Sequence, residues 1–386
     1  MCFAEHIGQT KILLLISFCP IRQKHKLITM SCLASSYVGC ATLQADLTTY
    51  FNTCGAEMIR EPMPFAEFIT SPTNNNGLSQ VIAPGNGKTR SVELTYQARI
   101  PESEVTENDS DICSCSTTRG NCSQTYTIDP AENLSVCETI SAANLRAICA
   151  PNSEFVMKKL AHLVDVLERR AATEIVQEAS FLTGTWNRAD EVPNVNASDQ
   201  LVVKTKKDGD AFTPNPFAMS EIDFALAASG YCAPAAIFGG RELYQYYRNM
   251  LAGCCSDAGN DLSKHLSLYG RAVAYDPRVA ATISGGQNAG LVIQPGAVAL
   301  LTWNEFGWNA GMPLPFNEGS NYARTMIVSP RLGLPMDVVV KDECPGTLTI
   351  VVSVVIKLVN LPSDIFPVGD KYRGVNFFNE ILVTNV

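Results

Sequence analysis

Apolar and polar residues alternate from Arg90 to Ile100, with Val92, Leu94, Tyr96 and Ala98 on one face and Glu93, Thr95, Gln97 and Arg99 on the other. A period of two predicts a half-buried strand. Ser123 to Ile128 alternates again. The stretch between them, Pro101 to Asn121, is acidic, bears cysteines and has almost no apolar content. These segments predict a long hairpin with an elaborated tip. An isolated two-stranded ribbon is marginal in water. The sequence offers no obvious layer for it to lie on, and a neighbouring copy of the chain would supply one.

The strongest helical pattern follows. Val156, Leu160, Leu163, Leu167, Ala171 and Ile175 recur at spacings of three and four, while Lys158, Lys159, Glu168, Arg169 and Glu178 are expected off that stripe. Ser153 is a plausible N-cap, and Glu154 lies in the first turn, where the macrodipole favours an anion. The pattern predicts a helix from Ser153 to Ala179, about 40 Å long.

Before the hairpin, Cys32 to Thr70 reads as an extended arm interrupted by Pro62 and Pro64, with one short helix at Leu43 to Phe51 and a polar turn at Ser71 to Gly77. After the long helix, Asn187 to Pro216 is polar, with one strand at Leu201 to Lys206. An α/β lobe follows. Its helices are expected at Ser220 to Ala228 and Arg241 to Leu251, and its strands at Ala235 to Phe238, Arg271 to Tyr275, Gly290 to Ile293 and Ala297 to Thr302. Met336 to Lys341 and Leu348 to Leu358 read as a closing hairpin of long strands.

Composition sharpens this picture. The chain has 386 residues, 46% of them hydrophobic and only 17% charged, against roughly 25% charged in a typical soluble domain. A sparse charged surface suits a protein covered by copies of itself. The net charge of −9 argues against sequence-specific nucleic-acid binding, which needs clustered Lys and Arg. Lys204, Lys206 and Lys207 form the one small basic group and read as a solvated loop. No segment reaches the ~18 apolar residues of a membrane span. The short apolar run Ile12 to Ile16 follows Glu5 and lacks a small-residue cleavage site. Met30-Ser31 reads as a more natural start, with residues 1–29 an over-extended frame or loose tail.

Candidate chemistry is thin. Gly87-Lys88-Thr89 resembles the end of a phosphate-binding loop, but Ile82 stands where the first glycine belongs, and a strand follows. Cys113, Cys115 and Cys122 could offer three thiolates to zinc, with Cys137 a fourth, although one residue between paired ligands is atypical; a disulfide, an intersubunit thiol contact and unpaired tip cysteines stay open beside it. Cys254 and Cys255 read as an inert adjacent pair. His162 with Asp165 reads as a surface pair on the long helix. Asp257, Asp261 and Asp276 are too irregular for a calcium loop. Sequons at Asn108, Asn121, Asn133 and Asn196 mark surface loops. No catalytic constellation emerges: no catalytic, cofactor-binding or metal residue is assigned, and an enzyme is not expected.

The order of parts carries a resemblance, as do several stretches. These are Pro84-Gly85-Asn86-Gly87-Lys88, Arg170-Ala171-Ala172-Thr173-Glu174-Ile175-Val176, Ile237-Phe238-Gly239-Gly240 and Tyr275-Asp276. Further on come Gln294-Pro295-Gly296-Ala297-Val298-Ala299-Leu300-Leu301, Ser329-Pro330-Arg331-Leu332-Gly333-Leu334-Pro335-Met336-Asp337 and Gly369-Asp370-Lys371-Tyr372-Arg373-Gly374-Val375-Asn376. From Cys32 onward the chain resembles major capsid proteins of tailed bacteriophages, particularly of phages infecting Bacteroidetes.

That resemblance implies an α+β, HK97-like capsid fold, with residues 30–84 as N-terminal arm, 85–150 as E-loop hairpin and connection, 151–219 and 332–386 as a peripheral β-rich domain with the spine helix, and 220–331 as an axial α/β domain. It implies a subunit that self-assembles through hexamers and pentamers into an icosahedral phage head around double-stranded DNA, the DNA being contacted non-specifically. Portal, scaffold and decoration proteins would be partners, with no membrane, and the location would be the virion, assembled in the bacterial cytoplasm. An encapsulin-like nanocompartment shell shares the fold. A cysteine-rich surface or secreted binding module is the rival from another class.

Overall fold

The long helix of the computed structural model, α2, spans Asn152–Phe181, thirty residues and about 45 Å. The residues described are 47–49, 51, 61–71, 74, 81–82, 90–96, 122–129, 132–141, 152–186, 195–208, 211–213, 216–231, 235–245, 266–268, 271–303, 322–343, 347–360 and 378–385. Every residue of the expected apolar stripe on α2 is buried, and so are Ala161, Val164, Ala172, Val176 and Ala179. The buried arc is wider than one stripe because α2 is packed from two sides. Strands lie against one side, and two short helices, α1 (Pro64–Thr70) and α4 (Pro277–Thr282), lie against the other. Among the described side chains of α2, only Val166, Arg170 and Phe181 are exposed.

Helix α1 falls where an extended arm was expected. Pro64 stands at its first position, where a fixed φ and a missing N–H favour a helix start. Phe65, Ala66 and Ile69 are buried, as is Met63 just ahead of them, so packing completes what the proline begins. Helix α3 (Pro216–Ala228) begins a few residues before the expected Ser220. It ends at Gly230, whose φ of 76° suits a residue without Cβ.

The strands are β1 (Val81–Ile82), β2 (Arg90–Tyr96), β3 (Cys122–Ile128), β4 (Leu134–Ser141), β5 (Leu201–Asp208), β6 (Ala211–Thr213), β7 (Ala236–Gly239) and β8 (Leu266–Leu268). They continue with β9 (Arg271–Tyr275), β10 (Ala289–Ile293), β11 (Val298–Trp303), β12 (Tyr322–Val328), β13 (Pro335–Glu343), β14 (Thr347–Asn360) and β15 (Phe378–Asn385). One sheet has the order β1-β11-β14-β13-β12, with β4 also on β14. A second has the order β6-β5-β15-β10-β7-β9-β8, and β2 with β3 forms a separate ribbon. The chain is therefore α+β.

Both sheets draw strands from either side of residue 331. Strand β15 pairs with β10, while β11 and β12 join the sheet of β13 and β14. The boundary expected at 331 is not a boundary between sheets. Lys204, Lys206 and Lys207 lie on β5, not in a loop, because β5 runs on past them to meet β6 in a hairpin.

Two cores result. The larger joins α2, α1 and α4 to one face of each sheet, taking Phe238 and Leu291 from the second sheet. The smaller takes the alternate residues Ile237 and Val292 and places Ile222, Ala225 and Leu226 of α3 against them. Strands β7 and β10 are buried on both faces, which explains their unbroken apolar runs. Gly240 sits where a Cβ would come within 2.5 Å of the backbone oxygen of Gln287. Gly240 thus marks a close approach of backbone to backbone, whereas a Cβ on Gly239 would meet the Leu243 side chain. Among the described residues, no helix is long and apolar enough to cross a membrane.

Candidate assembly interface

The pattern of β14 decides what each face of its sheet touches. Val354, Ile356 and Leu358 join the core beneath α2, whereas Val355 and Val359 point to the opposite face. Strand β11 alternates in the same way, with Val298 and Leu300 toward α2 and Ala299 and Leu301 away from it. On that far face sits a small cluster completed by Ile128, with Tyr126 and Trp303 packed against it. Ile128 and Tyr126 belong to β3, so the foot of the ribbon stands on the back of the β11–β14 pair.

Two polar ties fasten the foot. The Tyr126 hydroxyl donates to the Asn360 carbonyl at 2.6 Å, and Lys357 Nζ donates to the Thr127 carbonyl at 2.7 Å. On the other side, Asn360 Nδ2 donates to the carbonyl of Leu182 at 2.5 Å, just past α2. The Glu178 carboxylate of α2 accepts the amide of Leu358. Burial lifts the Glu178 carboxyl to about 7, against the Leu358 hydrogen bond, with Glu174 raising it further.

Away from the foot the ribbon changes character. β2 and β3 pair antiparallel from Arg90 opposite Ile128 to Tyr96 opposite Cys122. Ser123, Gln124 and Thr125 are all exposed. The expectation that the body offers the ribbon no support is therefore corrected at its foot. The support was illegible because it comes from β11 and β14, more than 170 residues further along the chain. The expected tip, from Pro101 to Asn121, lies outside the described residues.

The thiolate candidates divide. Cys113 and Cys115 lie outside the described residues, as do Gly87-Lys88-Thr89, Cys254 and Cys255. Cys122 opens β3, and Cys137 is an exposed free thiol on β4, opposite Val351 of β14. Among the described residues, no group of three His, Cys, Asp or Glu side chains is placed to hold a metal ion. Asp165 bonds Arg169, one turn along α2, at 3.2 Å. Asn196 turns its side chain onto its own loop, accepting the amides of Ser198 and Gln200.

A second polar node went unread in the sequence. Glu168, expected on the outer side of α2, is fully buried. Its Oε1 accepts the amides of Arg331 at 2.9 Å and Leu332 at 3.3 Å. Burial raises its pKa, while those amides and the Arg331 charge pull the other way. Asp276 caps α4 by accepting the amide of Arg278 at 2.9 Å, and it also accepts that of Phe65 at 3.1 Å. Burial raises Asp276 too.

The two arginines reach over the same stretch. Arg278 bonds the Pro62 carbonyl and Glu61 Oε2, each at 2.7 Å. Arg331 bonds the Glu61 carbonyl at 2.7 Å and Glu67 Oε1 at 3.4 Å. These carboxylates are engaged by backbone amides and guanidinium groups, so the node pins residues 61–70 to the body. Asp276-Pro277 carries a readable cap signal; Glu168 carries none, because its partners come from a turn over 160 positions away.

No protein-family profile matches the chain, and no curated protein does. Among solved structures it is similar to the cyanophage A-1(L) capsid asymmetric unit, at 13% identity over 83% of this chain and 92% of that one, with a TM-score of 0.47. It is also similar to a chain of Mycobacterium phage Che8, at 10% identity over 84% and 93%, TM-score 0.40. The capsid of a native GTA particle gives 13% identity over 86% and 94%, TM-score 0.39.

Proposed function

We propose that this chain is the structural subunit of an icosahedral phage head that encloses double-stranded DNA, and that it is not an enzyme. One observation carries the reading. Among the described residues the β2–β3 ribbon is held to the body at its foot, and Ser123 to Thr125 of β3 are exposed. A two-stranded ribbon without a second layer is marginal in water. A neighbouring subunit that covers it stabilises both partners, and repetition around closed symmetry axes sums many modest contacts. The resemblance read from the sequence points the same way.

In this reading residues 85–150 are the reaching element, α2 with the sheet of β14 gives a stiff peripheral slab, and the second sheet with α3 packs around five- and six-fold axes as pentamers and hexamers. The acidic chain contacts packaged DNA non-specifically, since it lacks the clustered basic surface that tight binding needs. Portal and scaffold or decoration proteins would complete a particle assembled in the bacterial cytoplasm.

The test is electron microscopy of the purified recombinant protein. Closed shells or hexamers support the proposal. A chain that stays monomeric at high concentration, with the whole ribbon folded back on its own body, overturns it.

A further inference from the structure

Among the described residues no ladder joins the two sheets. The chain passes between them from the end of α2 to β5, from β10 to β11, and from β14 to β15. The first passage opens with Leu182 to Trp186. Leu182 packs against the larger core, and Trp186 is buried in the smaller one. The backbone here has left the helix, so its carbonyls need donors from elsewhere. Two asparagines supply them. Asn360, the last residue of β14, donates through Nδ2 to the Leu182 carbonyl at 2.5 Å. Asn379, the second residue of β15, donates through Nδ2 to the Gly184 carbonyl at 2.8 Å. We propose that residues 182–186 are a coupling post, hooked by one asparagine from each sheet, that makes the two sheets open as one cooperative unit.

Each hook hangs from an inner strand. β14 lies between β11 and β13, and β15 between β5 and β10. Asn379 is fully buried, and its Oδ1 accepts the Tyr231 hydroxyl at 2.5 Å, which turns Nδ2 toward Gly184. Tyr231 belongs to the smaller core, where its ring lies 6.0 Å from that of Trp186. Trp186 adds a third tie, donating Nε1 to the Glu380 carbonyl at 2.9 Å. The other two passages run side by side: Val298 stands opposite Asn360, and Ile293 opposite Phe378. The larger core already bridges the sheets, but the smaller core draws no described residue from the first sheet. The post extends the bridge to it. An opening of the second sheet and α3 must pull on Gly184 and Trp186, and the Leu182 carbonyl two residues away is held by β14. The coupling belongs to the single chain and holds whether or not the shell reading does.

Native-state hydrogen exchange over a denaturant series tests this. In the native chain the slowest amides of β14 and β15 are expected to merge into one opening with a common denaturant slope. Asn360→Ala removes the hook on β14 and keeps the backbone carbonyl that takes the Tyr126 hydroxyl. It is expected to speed exchange in β15 and β10 on the order of tenfold, while the slowest β14 amides stay within about twofold. An effect that appears in the opposite sheet is the signature of coupling; a local loss of packing would loosen β14 first. Asn360→Asp keeps the shape and loses the donor, so it is expected to give the same split and serves if Asn360→Ala folds poorly. Separate openings of β14 and β15 in the native chain overturn the proposal. So does an effect of either variant that is confined to β14.

Discussion

The Tyr126 hydroxyl reaches the Asn360 carbonyl across 234 positions of sequence, at 2.6 Å. This bond joins the ribbon to the last residue of β14, and Ile128 beside it fills the cluster with Val355 and Val359. Tyr126→Phe keeps the ring and removes the donor. The cost in global stability is expected to be about 1 kcal/mol, the usual net value of one hydrogen bond. Ribbon amides should lose more protection than those of α2 in hydrogen exchange.

Residues 101–121 sit beyond the last described pair of the ladder, Tyr96 with Cys122. Their deletion should leave thermal unfolding of the body close to that of the full chain, because the stretch has almost no apolar side chains to give to a core. Shell formation should be impaired. Calorimetry and electron microscopy of the same preparation read both outcomes.

Glu168 serves two backbone amides inside the larger core. Glu168→Ala leaves both without an acceptor and is expected to cost about 2–4 kcal/mol in denaturant unfolding. Its pKa is raised by burial above the ordinary 4.5. The native state therefore holds a proton that the unfolded chain has already released once pH passes 4.5. This contribution to stability is fully present below 4.5 and is lost as pH rises through the folded value. Glu168→Gln should lack that slope.

Gly240→Ala would place a methyl carbon 2.5 Å from the backbone oxygen of Gln287. Backbone cannot rotate aside as a side chain can, so β7 or the turn at Gln287 must shift. A loss of about 1–3 kcal/mol is expected in thermal or denaturant unfolding.

Elements with a strong period of their own were legible. The stripe of α2 and the alternation of β2 and β3 set their type, the Val- and Ile-rich run set that of β14, and Pro295-Gly296 marks a turn in which Gly296 takes a φ of 81°. Other elements were not. Strand β4 alternates Leu134, Val136 and Ile140 with polar residues, yet Glu138 interrupts the apolar set and its lysine partner comes from α2 at 2.6 Å. Strand β15 lies far in sequence from what it touches. β15 finds its place between β5 and β10. The ribbon was readable as a candidate interface because it lacks local support; its foot was not, because Lys357 and Asn360 show no local sign of whom they bind.

The fourteen residues of β14 carry a mechanical consequence. Its second half holds the ribbon foot and the end of α2, while its first half is zipped between β13 and β4. A pull on the ribbon therefore enters β14 at one end and runs along its length, loading the flanking ladders in shear, where many hydrogen bonds resist at once. Tension between neighbouring molecules would be borne by the middle of the sheet and not by its rim.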